Sequence, residues 1–197
     1  MSVLLNKPKT MVDIYRLLPE GTPIEVIRNR FYMSPSPNFN HFEVAKSIFK
    51  ALDAFAEENN AGTVCYAPVD VFLGDNNAVQ PDVFFISKEN QNLINADGVY
   101  GAPDIVVEVL LPKNKNADLV KKKAEYEKFG VKEYFIVEPS DKAVITYYLQ
   151  GEKYIEKKSY WPAGKQTVEE NIPLLAGAMV WPASFFWGRT IAKNLLW

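Results

Sequence analysis

An aliphatic pattern occupies residues 101–112, GAPDIVVEVLLP. Six of the eight residues from Asp104 to Leu111 are aliphatic, with Gly-Ala-Pro before them and Pro112 after them. This pattern is typical of a strand that is buried on both faces. Alternation predicts two faces, one with Ile105, Val107 and Val109, the other with Val106, Glu108 and Leu110.

One carboxylate, that of Glu108, interrupts this apolar strand. A buried carboxylate loses its hydration, which is costly unless the group is paired, hydrogen-bonded or bound to a metal. A functional hypothesis must therefore explain Glu108.

The periodicity elsewhere predicts three helices. They cover residues 10–18 with Thr10 as the N-cap, about 40–59, and a segment from Asn116 or Ala117 to Phe129. In the second helix, the predicted inward stripe consists of His41, Ala45, Ile48, Leu52 and Phe55. Strand-like segments occupy residues 23–37 with a turn at 28–30, then 63–74, 78–87, 133–139 and 143–160 with a hairpin turn at 150–151.

Composition limits the function classes. The 197 residues fit a single domain over 1–197, and 48% hydrophobic with 13% aromatic residues indicates a folded globular protein. A net charge of −2 excludes a generally basic nucleic-acid binder, so any such binding needs a local basic patch. One cysteine, Cys65, no signal peptide and no membrane span predict a cytoplasmic protein.

Two carboxylates are candidates for a shared cation. Asp82 precedes the strand VFFI, and the loop after that strand leads into the one that carries Glu108. Directly opposed residues on antiparallel strands have side chains about 5 Å apart, which suits one metal ion. Asp104 is a weaker partner because four residues of extended chain span roughly 13 Å.

A lysine on the following helix is the candidate cation. Leu119, Lys122, Tyr126 and Phe129 share one helical face, so Lys122 is predicted to point inward, where it could orient or deprotonate water. A snorkelling surface lysine remains the alternative. Other lysines nearby predict a basic rim for a phosphodiester, or simply a solvated helix face: Lys113, Lys115, Lys121 and Lys123.

Three segments give the chain a specific resemblance: VQPDVFFIS, GAPDIVVEVLLP and DLVKKKAEYEKFGVKEYFIVEP. Together with IEVIRNRFYMSPSPNFNHFEVAKSIFKAL, they resemble the Uma2 (DUF820) family of the PD-(D/E)XK restriction-endonuclease-like superfamily. The resemblance implies an α/β fold with a mixed central β-sheet flanked by helices and with additional N-terminal and C-terminal strands. It also implies a Mg²⁺-dependent phosphodiesterase site, with Mn²⁺ as a possible substitute, and DNA rather than RNA as the expected substrate.

The resemblance assigns residues by position. Asp82 and Glu108 match the metal-binding carboxylates, and Glu25 and His41 match the upstream glutamate and histidine of the family. The superfamily lysine would fall at Leu110, whereas the family pattern uses the spacing that Asp118, Lys122 and Tyr126 show here. Leu111 and Lys113 replace two small hydroxyl residues of the family, which affects substrate preference more than the metal ligands.

Two functions follow as hypotheses. The first is a metal-dependent endonuclease with Asp82, Glu108, Lys122, Glu25 and His41 in its site. The second is a catalytically silent nuclease fold that acts as a binding or assembly module, as a homo-oligomer and most simply a dimer. Aromatic residues near the C-terminus would suit such a contact, although core packing explains them equally well: Trp181, Phe185, Phe186, Trp187 and Trp197.

Overall fold

The structure is a computed structural model that describes residues 7–19, 21–34, 36–110, 117–141, 143–160, 172–174 and 179–181. The helices are α1 (Met11–Tyr15), α2 (Phe39–Glu58) and α3 (Ala117–Phe129). The strands are β1 (Ile24–Ile27), β2 (Arg30–Met33), β3 (Gly62–Tyr66), β4 (Val71–Phe72), β5 (Ala78–Val79), β6 (Val83–Ser87), β7 (Ile94–Asn95), β8 (Gly98–Tyr100), β9 (Ile105–Val109), β10 (Glu133–Glu138), β11 (Ala143–Gln150), β12 (Lys153–Tyr160), β13 (Ile172–Leu174) and β14 (Met179–Trp181).

The strands form two mixed six-stranded sheets and one small pair. The central sheet has the order β12-β11-β10-β9-β6-β3, and its parallel pair, β9 and β10, is connected through α3. The second sheet has the order β2-β1-β5-β4-β8-β7, and β13 pairs with β14. The predicted α/β class with a mixed central sheet is confirmed, while the second sheet was not predicted. Among the described residues, no helix is long and apolar enough to cross a membrane.

Strand β9 lies between two apolar layers. All five of its residues are buried. Ile105, Val107 and Val109 pack with the inward face of α2, whereas Val106 packs with Tyr126 of α3 and residues of the second sheet. The alternation predicted from the sequence is therefore confirmed, and Glu108 lies on the face of the strand that points toward α3.

Helix α2 covers the other face of the central sheet. Asn38 caps it by accepting a hydrogen bond from the backbone N–H of His41. Its buried residues are His41, Val44, Ile48, Leu52 and Ala56. Of the predicted stripe, His41, Ile48 and Leu52 are buried, whereas Ala45 and Phe55 are half-buried and pack against the core at the edge of this face. The buried positions from Val44 to Ala56 follow steps of four residues, which turn the stripe gradually around the helix because 3.6 residues complete one turn.

Helix α1 and the first hairpin bear out the smaller predictions. Thr10 caps α1 in a reciprocal capping box with Asp13, although the helix ends at Tyr15 rather than residue 18. Arg28 and Asn29 form the turn between β1 and β2, with left-handed φ values of 51° and 58°.

Asp104 holds the start of β9 rather than sharing the site of Glu108. Its buried carboxylate accepts hydrogen bonds from the backbone N–H of Ser87 at 2.7 Å and from the Asn90 side chain, and it pairs with the Lys132 ammonium at 2.6 Å. Burial raises the pKa of Asp104, but Lys132 and the hydrogen bonds outweigh it, so the pKa lies below its ordinary value of 3.8. Asp104 is a structural carboxylate.

We predict that Asp104→Asn lowers the free energy of unfolding at pH 7 by about 1–3 kcal/mol, because it removes a charged acceptor from buried donors. A lowered pKa stabilises the fold above the unfolded value and loses this contribution as pH falls through the folded value. The difference between wild type and variant should therefore be full at pH 7 and shrink below about pH 4. Urea unfolding across this range measures it, and a difference that grows on acidification would contradict it.

Candidate active site

Asp82 and Glu108 are brought together by the pairing of β6 with β9. These strands are antiparallel with Val83 opposite Val107, so one further step of the same register sets Asp82 opposite Glu108. The Asp82 Oδ2 atom accepts a hydrogen bond of 2.7 Å from the Val109 backbone N–H. Both carboxylates line one cleft of about 130 Å³, together with the other predicted site residues: Glu25, His41 and Lys122.

Lys122 reaches this cleft from α3. Its Nζ atom lies 2.8 Å from Oε1 of Glu25 and 3.0 Å from Oε1 of Glu108. The Tyr126 hydroxyl, one turn later, donates to the same Glu108 oxygen at 2.9 Å. Because Lys122 is only 8% exposed, a snorkelling surface lysine does not describe it. Its ammonium is a buried ion shared by two carboxylates.

Glu25 is fixed by the neighbouring strand of the second sheet. It lies in β1, which pairs with β5, and its Oε1 accepts a 2.8 Å hydrogen bond from the backbone N–H of Gln80 just after β5. The Gln80 side chain donates to Asp70 and to the Tyr15 hydroxyl. The second sheet and α1 thus set the position of one wall of the cleft.

His41 contacts Asp82, the other carboxylate of the Asp82–Glu108 pair. It lies in the first turn of α2, and its Nε2 atom is 3.1 Å from Oδ2 of Asp82. Burial lowers the pKa of His41, but the hydrogen bond and the charge of Asp82 outweigh it, so the pKa is raised overall. His41 therefore restrains Asp82 by hydrogen bonding.

The electrostatics of the cleft are dominated by an excess of carboxylates. Burial raises the pKa of Glu108, Lys122 lowers it, and the charges of Asp82 and Glu25 raise it, with a result of about 7. Burial lowers the pKa of Lys122, but both glutamates outweigh it and raise the pKa above its ordinary value. Lys122 consequently stays protonated, and one ammonium balances three carboxylates incompletely.

The two carboxylates of the cleft suit a magnesium ion that has few protein ligands. In the described part of the chain, no three or more His, Cys, Asp or Glu side chains form a group that could hold a metal ion. Magnesium, however, is often held by one or two carboxylates and keeps water or substrate phosphate as its other ligands. The contacts described above use Oδ2 of Asp82 and Oε1 of Glu108. A two-carboxylate site with an unbalanced negative charge suits such an ion.

Five residues that line the cleft were predicted from the sequence, but the contacts that hold them in place were not. The sequence placed Tyr126 on the same helical face as Lys122, four residues later. Its hydrogen bond to Glu108 was not predicted, although this four-residue step was a signal for it. The backbone donors of Gln80 and Val109 left no signal, because any residue carries an N–H. Leu110, where a lysine was expected, lines the cleft as an apolar residue.

The two lysines of the predicted basic rim that the structure describes, Lys121 and Lys123, lie over different aromatic rings. Lys121 lies over the ring of Tyr32, a cleft residue, with Nζ 4.3 Å from the ring centroid. Lys123 lies over Tyr147 at 4.0 Å. Several residues named from the sequence lie outside the described ones: Leu111, Lys113, Lys115, Phe185, Phe186, Trp187 and Trp197, and the side chains of Asp118 and Trp181.

The chain is similar to known proteins at the levels of family and fold. The model of the Uma2 family, described as "Putative restriction endonuclease", matches residues 11–178. A crystal structure described as that of a putative nuclease belonging to DUF820, from Anabaena variabilis ATCC 29413, is similar with a TM-score of 0.75. It is 16% identical, and the match covers 91% of this chain and 98% of that chain, which shows a shared fold. No curated protein matches the chain.

We predict that Lys122→Met lowers the free energy of unfolding by about 3–5 kcal/mol at neutral pH, since it leaves buried carboxylates without their cation. The matched control is Lys128→Met on the exposed face of α3, for which we expect a change within about 0.5 kcal/mol. Urea unfolding in metal-free buffer measures both. Equal effects of the two substitutions would show that the ammonium is not a buried ion.

Proposed function

The chain belongs to the Uma2 family, and from this premise we propose that it is a Mg²⁺-dependent endonuclease that hydrolyses phosphodiester bonds of nucleic acid, with DNA as the substrate. The observation that carries the proposal is the convergence of Asp82, Glu108 and Lys122 in one cleft from β6, β9 and α3. Two carboxylates on the protein surface would not need a buried ammonium beside them.

Asp82 and Glu108 are the proposed metal ligands, for Mg²⁺ or its substitute Mn²⁺. When bound there, the ion would polarise the scissile phosphate and lower the pKa of a coordinated water. Tyr126 and Lys122 restrict Glu108 to one orientation by binding its Oε1 atom, and Val109 and His41 do the same for Asp82 through Oδ2. Ligands held in this way lose little freedom when the cation binds.

Lys122 is proposed to act as a permanent cation rather than as a base. Its pKa is raised by the glutamates, although burial opposes this, so it keeps its proton near neutral pH. A protonated lysine can orient a water molecule by hydrogen bonding and stabilise the negative charge that develops on the phosphate oxygens. Glu25 holds the other side of the ammonium at 2.8 Å and keeps it within reach of Glu108. Glu25 is therefore proposed as a positioning residue.

The hypothesis of a catalytically silent assembly module stays a prediction from the sequence. Most of the aromatic residues that motivated it lie outside the described part of the chain. A cleavage assay separates the two functions directly.

We predict that Asp82→Asn and Glu108→Gln each abolish detectable Mg²⁺ binding, because each removes one of two anionic ligands. Cleavage of plasmid DNA should fall by about 10²-fold or more in both variants and in Lys122→Met. Calorimetric titration and a nicking assay measure these effects. The control is Asp75→Asn, in an exposed turn, which should behave as wild type. Wild-type protein that binds neither Mg²⁺ nor Mn²⁺ would contradict the proposal.

We predict that His41→Ala weakens Mg²⁺ affinity by about 10–100-fold without abolishing it, because the imidazole holds a ligand and is not itself one. Titration of folded variant protein, verified by circular dichroism, measures the change. A loss as complete as that of Asp82→Asn would show that His41 binds the metal, and an unchanged affinity would show that Asp82 needs no such restraint.

A further inference from the structure

A second ion pair joins α3 to the first hairpin, next to the ion pair of Lys122 with Glu25. The Arg28 Nε atom lies 2.5 Å from Oε1 of Glu125. Glu125 follows Lys122 by three residues on α3, and Arg28 follows Glu25 by three residues, in the turn after β1. The two pairs have opposite polarity, because α3 supplies the cation in one and the anion in the other. Together they restrict both sliding and rotation of α3 against β1.

Asn77 connects this second ion pair to the chain segment beside β1. Its Oδ1 atom accepts a 2.9 Å hydrogen bond from the Arg28 backbone N–H. Its Nδ2 atom donates to Oε2 of Glu125 at 3.2 Å and to the carbonyl oxygen of Leu73 at 3.0 Å. Asn77 is 2% exposed and Glu125 is 4% exposed, so water competes little for these contacts. We call Arg28, Asn77 and Glu125 the hairpin cluster.

The hairpin cluster and Glu25 are held by the same short segment. Residues 77–80 run alongside β1, where Asn77 binds Arg28 at one end and the backbone N–H of Gln80 binds Glu25 at the other. The cluster attaches α3 to this segment. It therefore sets how far α3 stands from the carboxylate of Glu25.

The charges of the two ion pairs also exclude a neighbouring register of α3. Three helical residues rise about 4.5 Å, so a slide by this distance would carry Glu125 close to the place that Lys122 occupies. A third carboxylate would then face Glu25 and Glu108, and burial makes such a like-charge contact costly. The apolar packing of α3 discriminates less between registers, because hydrophobic contact is not directional. The hairpin cluster thus favours the register in which the ammonium lies in the cleft.

We propose that the hairpin cluster holds the Lys122 ammonium between Glu25 and Glu108 and thereby sets the rate of the proposed cleavage. Lys122 carries its ammonium on a flexible four-carbon stem, so contact with both carboxylates depends on where the helix is fixed. Arg28 and Glu125 act through Lys122 and are positioning residues. The effect on the rate rests on the proposed function, whereas the effect on the position of Lys122 does not.

Arg28→Met tests the cluster with little risk to the fold, because the Arg28 side chain is 56% exposed. The matched control is Arg30→Met, which removes the same charge from an exposed position of the same hairpin. The readout is exchange of the Lys122 ammonium protons with water, followed by proton–nitrogen NMR in metal-free buffer and assigned by their absence from Lys122→Arg. We expect exchange to be about tenfold faster or more in Arg28→Met, because an ammonium released from buried partners meets water. Arg30→Met should exchange as wild type.

A second variant tests the partner of Arg28. Glu125→Gln keeps the size of the side chain and an acceptor for Asn77 but removes the charge. We expect faster ammonium exchange, as in Arg28→Met, and the double variant should exchange no faster than either single variant, since both substitutions break one ion pair. Additive effects would show that the two residues act separately and would contradict the cluster.

Plasmid nicking with Mg²⁺ separates positioning from general stability. We expect kcat to fall about tenfold in Arg28→Met, because a misplaced cation affects the chemical step. KM should change no more than in Arg30→Met, since loss of a surface charge affects binding alone. In the Lys122→Met background, Arg28→Met should lower kcat no further, because no ammonium is left to position. A purely structural role would lower kcat in both backgrounds.

The outcomes distinguish this inference from the proposed function. Unchanged ammonium exchange in Arg28→Met, or no slowly exchanging ammonium in wild type, would overturn the inference. Faster exchange with an unchanged kcat, or equal changes in both arginine variants, would overturn it as well. Faster exchange in Arg28→Met alone, in a protein that never cleaves DNA, would support the positioning of Lys122 and contradict the nuclease.

Discussion

The ion triplet of Glu25, Lys122 and Glu108 is the interaction on which the rest of the structure depends. Three charged side chains are buried together, and each would be costly alone. They come from β1, α3 and β9, so the triplet ties the second sheet, the crossover helix and the central strand together. Removal of Lys122 leaves both glutamates without a cation, and removal of either glutamate leaves Lys122 with one carboxylate instead of two, in a place that water barely reaches.

The triplet also creates the chemical condition of the cleft. Asp82 adds a third carboxylate across the β6–β9 pair, so three carboxyl groups share one ammonium, and burial together with this crowding raises the pKa of Glu108 to about 7. A phosphodiester would be repelled from such a cleft unless a further cation accompanied it. Because carboxylates outnumber the ammonium in the cleft, a metal ion and an anionic substrate are expected to bind there together.

The sequence predicted the centre of this arrangement well because its signals are local and periodic. An aliphatic run interrupted by Glu108 and a helical face that includes Lys122 need no knowledge of distant contacts. The second sheet escaped prediction because β4, β5 and β7 are two residues long, too short to show alternation. Glu25 and His41 could be named through family resemblance, yet their partners, Gln80 and Asp82, follow from pairings between segments far apart in the chain.

The most direct test of the central claim is the anomalous scattering of crystals soaked in Mn²⁺. We predict a peak in the cleft, roughly 2 Å from one oxygen of Asp82 and one of Glu108, with Lys122 still against Glu25. Under the same soak, crystals of Glu108→Gln should lose that peak. A wild-type map without a peak at Asp82 and Glu108, while the carboxylates remain as described, would contradict the claim that this cleft is a metal site.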